Sequence, residues 1–380
     1  MKKLYLHHLL LSYLLIICTG IFAFSQQQEA ESGIDSVMKQ YDMIGLSVAV
    51  VKHGKIIYTH SFGLKNKETS TPLSNSDIFR IASISKSFSS TSIMQLVEAK
   101  KLSLSDDVSS LIGFKVRNPK YPDRVITLKM LLSHTSSLND SQGYFTLDVL
   151  NPEKNLDWAK CYSEYAPGEK YSYCNLNFNM IGTIIEKISG QRFDKYVKQH
   201  ILDPLGLYAG YEVSALDTTK FVTLYEYDPQ TKNYTPDPAA YNPRKNEIEN
   251  YIPGYSTPIF SPTGGMKISA TGLAKYMTMH MYFGKYGKIR IIKKKSSHLM
   301  QTPVLNGYGL ALLTSNGLIP GKTMVGHTGS AYGLYSLMFF QPKEKFGIVA
   351  ITNGCNVDYE AGFNPALKAV ANVLYENLIK

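Results

Sequence analysis

Ile78-Phe79-Arg80-Ile81-Ala82-Ser83-Ile84-Ser85-Lys86 places a hydroxyl and an amine three positions apart where a helix begins. A serine alone is a poor nucleophile, but one held against a base can attack a carbonyl. Residues i and i+3 of a helix face each other, so the Lys86 amine can reach the Ser83 oxygen. The helix start adds unpaired backbone N–H groups and a positive dipole end, both suited to a developing oxyanion. Ser36-Val37-Met38-Lys39 fits the same spacing, so the surroundings must decide between the two. Residues 28–41 suit an amphipathic helix with Ile34, Val37, Met38 and Tyr41 on one face. Ser36 therefore falls inside a helix, a poor place for a nucleophile.

Between the two copies, Gly45 to Lys52 and Lys55 to Phe62 read as strands of a hairpin around His53-Gly54. Beyond Lys86 the helix continues through Ile93, Met94, Leu96 and Val97, and further helices are expected over 126–133, 175–189 and 192–201. Gly190 and Pro204-Leu205-Gly206 punctuate them. From Tyr211 to Pro262 the pattern dissolves into a long Tyr/Pro/Asn/Asp-rich connection. Its tyrosines (Tyr225, Tyr227, Tyr234, Tyr241, Tyr251, Tyr255) either border a cleft or pack the connection onto the helices. Ser269 to Met281 is helical again, and 308–314, 323–328, 335–341 and 347–352 read as strands before a closing helix over 364–378. The expected class is α+β with two lobes. Early and late strands join in one antiparallel sheet flanked by the N- and C-terminal helices, with a mainly helical lobe between. The α/β lobe would use about 26–80 and 300–380, the helical lobe about 81–299, and a site belongs in the cleft between them.

Two more short motifs follow Ser83-x-x-Lys86 in order: Tyr173-Cys174-Asn175 before a helix, and His327-Thr328-Gly329 on a late strand, followed by Ser330. Companion phrases run over Leu131-Leu132-Ser133-His134-Thr135-Ser136-Ser137-Leu138, Pro262-Thr263-Gly264-Gly265-Met266 and 326–333. The ordered set resembles the serine β-lactamase and penicillin-binding-protein superfamily, nearest its class C branch with D-alanyl-D-alanine carboxypeptidases and related esterases. The likeness spans roughly Ile44 to Asn353. It implies Ser83 as the acylated nucleophile, with Lys86 and Tyr173 sharing the proton work. Asn175 would bond the substrate amide or Lys86, and the N–H groups of Ser83 and Ser330 would form the oxyanion hole. Gly329 would let the substrate lie against the strand, with His327 and Thr328 lining its carboxylate end.

Three departures stand out. Cys174 replaces a serine without a proton-transfer role, and Ser137 replaces a glycine. His327 stands where β-lactamases carry lysine. A partly protonated histidine holds a carboxylate less firmly, and activity on such substrates would fall as it loses its proton. The favoured activity is hydrolysis of an amide or ester, on D-amino-acid peptides or small esters. A β-lactamase and a penicillin-binding sensor or inactive scaffold are the alternatives. His134 reads as structural and Cys174 as filling space.

The remaining features set bounds. Lys2 and Lys3, the apolar run from Leu9 to Cys18 and Ala23-Phe24-Ser25 read as an export signal over 1–25, which implies a periplasmic or secreted protein. An uncleaved anchor is the other reading and would be its only membrane contact. The 380 residues carry a net charge of +10, but the basic residues are scattered, so no nucleic-acid footprint emerges. Lys293-Lys294-Lys295 reads as a solvated loop. No H-E-x-x-H or cysteine cluster suggests a metal, no cofactor is implied, and partners reduce to a small-molecule or peptide substrate, cell-wall peptides included. Of the four cysteines, Cys161, Cys174 and Cys355 would remain after removal of the signal, an odd number, so no essential disulfide is expected. No G-x-S-x-G elbow is present, and Gly317 to Thr323, a near miss to a P-loop, reads as a turn.

Overall fold

In β1 (Gly45–Lys52) successive side chains point to opposite sides, yet both sides are buried. Leu46, Val48 and Val50 join one apolar cluster and Ala49 and Val51 another, which explains an apolar run without polar alternation. Complete burial of each valine or leucine stabilises the fold by about 1.5–3 kcal/mol. The chain, a computed structural model, is described over residues 25–357 and 362–380. The Lys2-Lys3 start, the run to Cys18 and Ala23-Phe24 lie outside the described residues.

Strand β1 pairs with β2 (Lys55–Asn66), which continues to β3 (Thr71–Pro72). The middle of the chain carries only short strands. β4 (Phe79–Arg80), β5 (Ala209–Gly210) and β8 (Lys267–Ile268) form a patch centred on β8. β6 (Tyr225–Asp228) pairs with β7 (Asn233–Pro236), and β9 (Lys285–Tyr286) with β10 (Ile289–Arg290). The late strands are β11 (Leu313–Ser315), β12 (Met324–Ala331), β13 (Leu334–Gln341) and β14 (Phe346–Thr352). They complete a seven-stranded antiparallel sheet in the order β11-β12-β13-β14-β1-β2-β3. Early and late segments thus meet at the β1–β14 pair, Leu46 opposite Thr352.

Helix α1 (25–40) and α10 (Pro365–Leu374) cover one face through Ile34, Val37, Leu367 and Val370. Ser36 lies on the exposed side of α1 and returns its hydroxyl to the Ser32 carbonyl at 2.9 Å, so the competing motif is spent within its own helix. The opposite face receives α8 (Ala270–Met281), whose Leu273 and Met277 pack with Met338, Val349 and Ile351. Around α8 lie α2 (Ser85–Glu98), α3 (Val108–Ile112), α4 (Leu128–Leu132), α5 (Asn175–Ser189), α6 (Phe193–Val197), α7 (Lys245–Glu249) and α9 (Lys294–Gln301). No helix among the described residues is long and apolar enough to cross a membrane. Cys161, Cys174 and Cys355 are buried as free thiols.

Several elements differ from expectation. The strand expected over 308–314 shrinks to Leu313–Ser315. Leu310 and Ala311 are buried, but their N–H groups bond Met300 and Leu132 carbonyls, and Ala311 takes φ 63°. The basic run is not a loop: Lys294 and Lys295 open α9 and stay exposed. The 192–201 helix changes winding after Val197 into a π-helical turn. The long connection holds the β6–β7 hairpin and α7, and it is anchored to α5 by Glu186. That buried carboxylate accepts from the Tyr251 and Thr257 hydroxyls and the Gly254 N–H.

Candidate active site

Ser83 sits in the short 3-10 turn Ala82–Ile84 directly ahead of α2, with Ala82 at φ 48°. A non-glycine residue in this region carries strain of order 1–3 kcal/mol, a cost that accompanies sharp turns presenting functional groups. The turn is held from two sides. From one side comes the Pro262–Met266 segment. Ser89 bonds the Pro262 carbonyl, Arg80 Nε the Gly264 carbonyl, and the Met266 N–H donates to Ser85 Oγ. The Ile81 N–H closes on the Met266 carbonyl at 2.9 Å. From the other side comes β12. A Cβ built on Gly329 would stand 2.4 Å from the Ile81 carbonyl, so only glycine lets the strand close on the nucleophile turn. The bare side of Gly329 therefore meets Ile81 and Ala82 rather than a substrate, which corrects the sequence reading of this residue. Its backbone still lines the cleft.

Lys86 is completely buried on the first turn of α2. Its Nζ lies 3.1 Å from Ser83 Oγ, 2.9 Å from Asn175 Oδ1 and 3.0 Å from the Thr263 carbonyl. The latter two groups can only accept. A neutral amine donates one hydrogen to each, and its lone pair is left for the Ser83 hydroxyl. Burial drives the Lys86 pKa down to about 7, against the opposing pull of Asp140. Near neutral pH a large share of Lys86 can therefore act as a base.

Asn175 opens α5 with its amide orientation fixed. Its Oδ1 accepts from Lys86 and from Thr263 Oγ1, while Nδ2 donates to Asp140 Oδ2 at 3.0 Å. Asp140 also accepts the N–H groups of Asn175 and Leu176 and the Cys174 thiol, so it caps the helix that presents the motif. Burial and the Asp140 charge hold the Cys174 thiol protonated, which suits a filler and donor. His134 Nδ1 accepts the Cys174 N–H at 3.2 Å, bracing the same turn from below. Tyr173 is 39 % exposed, with Lys86 Nζ 4.7 Å from its ring centre.

His327 is buried, and both ring nitrogens are engaged. Nδ1 lies 2.5 Å from the Thr328 carbonyl and Nε2 2.8 Å from the Tyr308 hydroxyl. With Nδ1 as the donor, Nε2 is left to accept from Tyr308. Burial and the nearby Lys86 push the imidazole down to about 4, so it is neutral across the physiological range. In the free protein this places the proton loss of His327 below the near-neutral range expected from its residue type. His327→Gln should lower kcat/KM by about tenfold at most, the worth of one hydrogen bond. The ratio to wild type should stay constant from pH 5.5 to 8.5. A ratio that changes with pH in this range would reinstate a charged histidine.

Ser83, Tyr173, Asn175, His327, Thr328, Gly329 and Ser330 all line one cavity of about 850 Å³. Lys86 lies beneath it. Sequence reasoning missed Asp140, Thr263, Tyr308 and Arg80. Asp140 follows the Leu131–Leu138 phrase by two residues, but no spacing rule links it to Asn175. The tyrosines singled out in the long connection do not line this cavity. Its aromatic lining comes from Tyr144, Phe145, Tyr171, Tyr173, Tyr308 and Tyr332, while the connection contributes Glu226, Asp237 and Ser261. Ser137 takes φ 63°, the backbone region that favours the glycine it replaces.

A buried lysine is held against a serine at a helix start, with a Tyr-x-Asn turn and a strand edge across the cleft. The chain belongs to the Beta-lactamase family of serine hydrolases, whose model matches residues 30–371. It is 24% identical over 337 residues to Protein flp of Staphylococcus aureus strain MW2, across 86% of this chain and 63% of that protein. The chain thus spans under two thirds of that relative's length. Among solved structures, the octameric penicillin-binding protein homologue from Pyrococcus abyssi superposes with a TM-score of 0.74 at 28% identity, covering 93% of this chain and 77% of that one. The D-amino acid amidase of Ochrobactrum anthropi SV3 superposes at 0.71 with 20% identity, covering 93% and 99%, and shares the fold.

Proposed function

We propose that the protein is a hydrolase that forms a covalent acyl-Ser83 intermediate from an amide or ester, with D-amino-acid peptides, their amides and small esters as the favoured substrates. The observation that carries this reading is the Lys86 amine, whose two fixed acceptors leave its lone pair to the Ser83 hydroxyl. In the first step Lys86 takes the Ser83 proton as Oγ attacks the carbonyl carbon. The N–H groups of Ser83 and Ser330 receive the oxyanion, and Tyr173 returns a proton to the departing amine or alcohol. Water then attacks the acyl ester with the same groups in reverse, releasing the acid and Ser83. Asn175 holds Lys86 in register, and Thr328 with the edge of β12 aligns the substrate backbone.

Substrate preference follows from the lining. A neutral His327 gives no charge to a substrate carboxylate, which weighs against efficient hydrolysis of β-lactams. Arg80, the cation lining the cavity, is already bonded to the Gly264 and Ala240 carbonyls and lies over the Tyr332 ring. Glu226 and Asp237 suit a free amine, and the aromatic wall suits an apolar side chain. The fold shared with a D-amino acid amidase is in keeping with this. We place the enzyme in the periplasm or outside the cell, where cell-wall peptides are the available D-amino-acid material.

The test is a turnover screen of D- and L-amino-acid amides, D-amino-acid peptides, p-nitrophenyl esters and nitrocefin, with Ser83→Ala as blank. Ser83-dependent turnover of D-amides or esters exceeding that of nitrocefin is the expected result. Preferential nitrocefin turnover makes the protein a β-lactamase instead. Acylation without release, seen as a penicillin label lasting hours, makes it a sensor.

A further inference from the structure

Arg80 and Lys267 face each other in register across the β4–β8 pair. Directly opposed residues of an antiparallel pair project to the same side, where like charges destabilise. Lys267 is 4% exposed. Burial and the charges of Arg80 and Arg244 push its pKa well below the usual lysine range, so it keeps its proton only beside a counter-ion, and the acceptor it meets is the Tyr211 carbonyl at 2.5 Å. Among the described residues the Arg80 guanidinium donates to backbone carbonyls, those of Gly264 and Ala240. Neither cation forms an ion pair with a carboxylate among the described residues. Asp194, whose field reaches Lys267, is held by Arg192 at 2.6 Å, and Arg192 also takes Glu212.

Both cations line a cavity of about 30 Å³ behind the Pro262–Met266 segment, with Arg244 also on its wall. No acidic side chain among the described residues lines it. Arg244 has its own partner, Glu247 at 3.4 Å. The volume exceeds the 10–15 Å³ or so that one water needs and has room for one small ion, too little for a substrate's acyl chain. A buried like-charge pair of this kind either loses a proton or holds a counter-ion.

We propose that this cavity is a binding site for a free, halide-sized monovalent anion, held by Lys267 and Arg80 with Arg244 at its wall. The ion neutralises the pair and fixes the β4–β8 register. Because Arg80 precedes Ser83 by three residues and grips Gly264, that register sets the nucleophile turn.

The inference is tested on the whole protein with halide salts. In crystals grown with sodium bromide, an anomalous peak is expected within hydrogen-bonding reach of Lys267 Nζ and the Arg80 guanidinium. In solution, exchanging gluconate for chloride at constant ionic strength should raise Tm by roughly 2–4 °C with saturation. Lys267→Met should abolish this dependence. An unchanged wild-type Tm, a bromide map without the peak, or a chloride response that persists in Lys267→Met would each overturn the proposal. If Lys267→Met does not fold, the wild-type bromide map decides alone.

Discussion

Lys86→Met lowers kcat/KM by about 10²–10⁴-fold, the range that a positioned general base contributes. Methionine keeps the length and apolar stem and removes the lone pair. Asn175 Oδ1 retains Thr263 Oγ1 as a donor, so the side chain that presents the motif stays in place. The second signature is in pH. Wild-type activity should climb as pH rises through about 7, where Lys86 loses its proton, and the variant should lack that limb. Stability carries the same imprint with a fixed sign. Between the folded value near 7 and the unfolded value of 10.5, the unfolded chain binds a proton that the folded chain does not. Wild-type stability contributed by this group therefore rises with pH across that window and gains nothing further above it. Lys86→Met removes this slope. Rate profiles from pH 5 to 9 and urea unfolding at several pH values measure both. A variant within tenfold of wild type, or one keeping the limb near 7, would remove Lys86 from the role of base.

Asp140→Ala has the next largest effect, and it acts on both stability and rate. The carboxylate accepts the Asn175 and Leu176 N–H groups, the Asn175 amide and the Cys174 thiol, all at the buried start of α5. Truncation leaves these donors without a partner and should destabilise by about 3 kcal/mol, the combined scale of a lost cap and a charged hydrogen bond. The Asn175 amide then loses the acceptor of its Nδ2, and only the Thr263 Oγ1 and Lys86 donors to Oδ1 still orient it, which loosens the acceptor that fixes Lys86. Asp140→Asn separates charge from shape. Asp140 raises the Lys86 pKa by its field, so neutralising it lets the value fall further. The ascending limb should shift to lower pH in Asp140→Asn, and a shift to higher pH or none would contradict the coupling.

Much of this fold could be read from periodicity because the sheet is buried on both faces and its strands are long. Gly45 to Lys52 and Phe346 to Thr352 are apolar, β-branched runs bounded by turns, and nothing competes with a strand there. Leu310 to Leu312 is likewise apolar, though without β-branched residues, and its Leu310 and Ala311 N–H groups bond the Met300 and Leu132 carbonyls, distant acceptors that no local signal records. The long connection gave no period because its order comes from single polar anchors such as Glu186, which sits on a distant helix.

The site divides along the same line. Ser83, Lys86, Tyr173, Asn175 and His327 were legible because each belongs to a short ordered motif, and the structure brings them together, with Lys86 beneath the cleft that the other four line. Their electrostatic states were not legible. Whether His327 is charged depends on burial and on its closeness to Lys86, and the state of Lys86 depends on burial opposed by Asp140. Those distances exist only after folding. Gly329 shows the same limit, since its need for a bare Cα arises from Ile81, nearly 250 positions away in the chain.

The central claim is that one serine, Ser83, carries the acyl group, and a fluorophosphonate probe tests it directly. After reaction with the probe and proteolysis, mass spectrometry should find the adduct on the peptide containing Ser83. Ser83→Ala should take up none, and Ser36→Ala should react as fast as wild type. An adduct on another residue, or labelling of Ser83→Ala at the wild-type rate, would contradict the account.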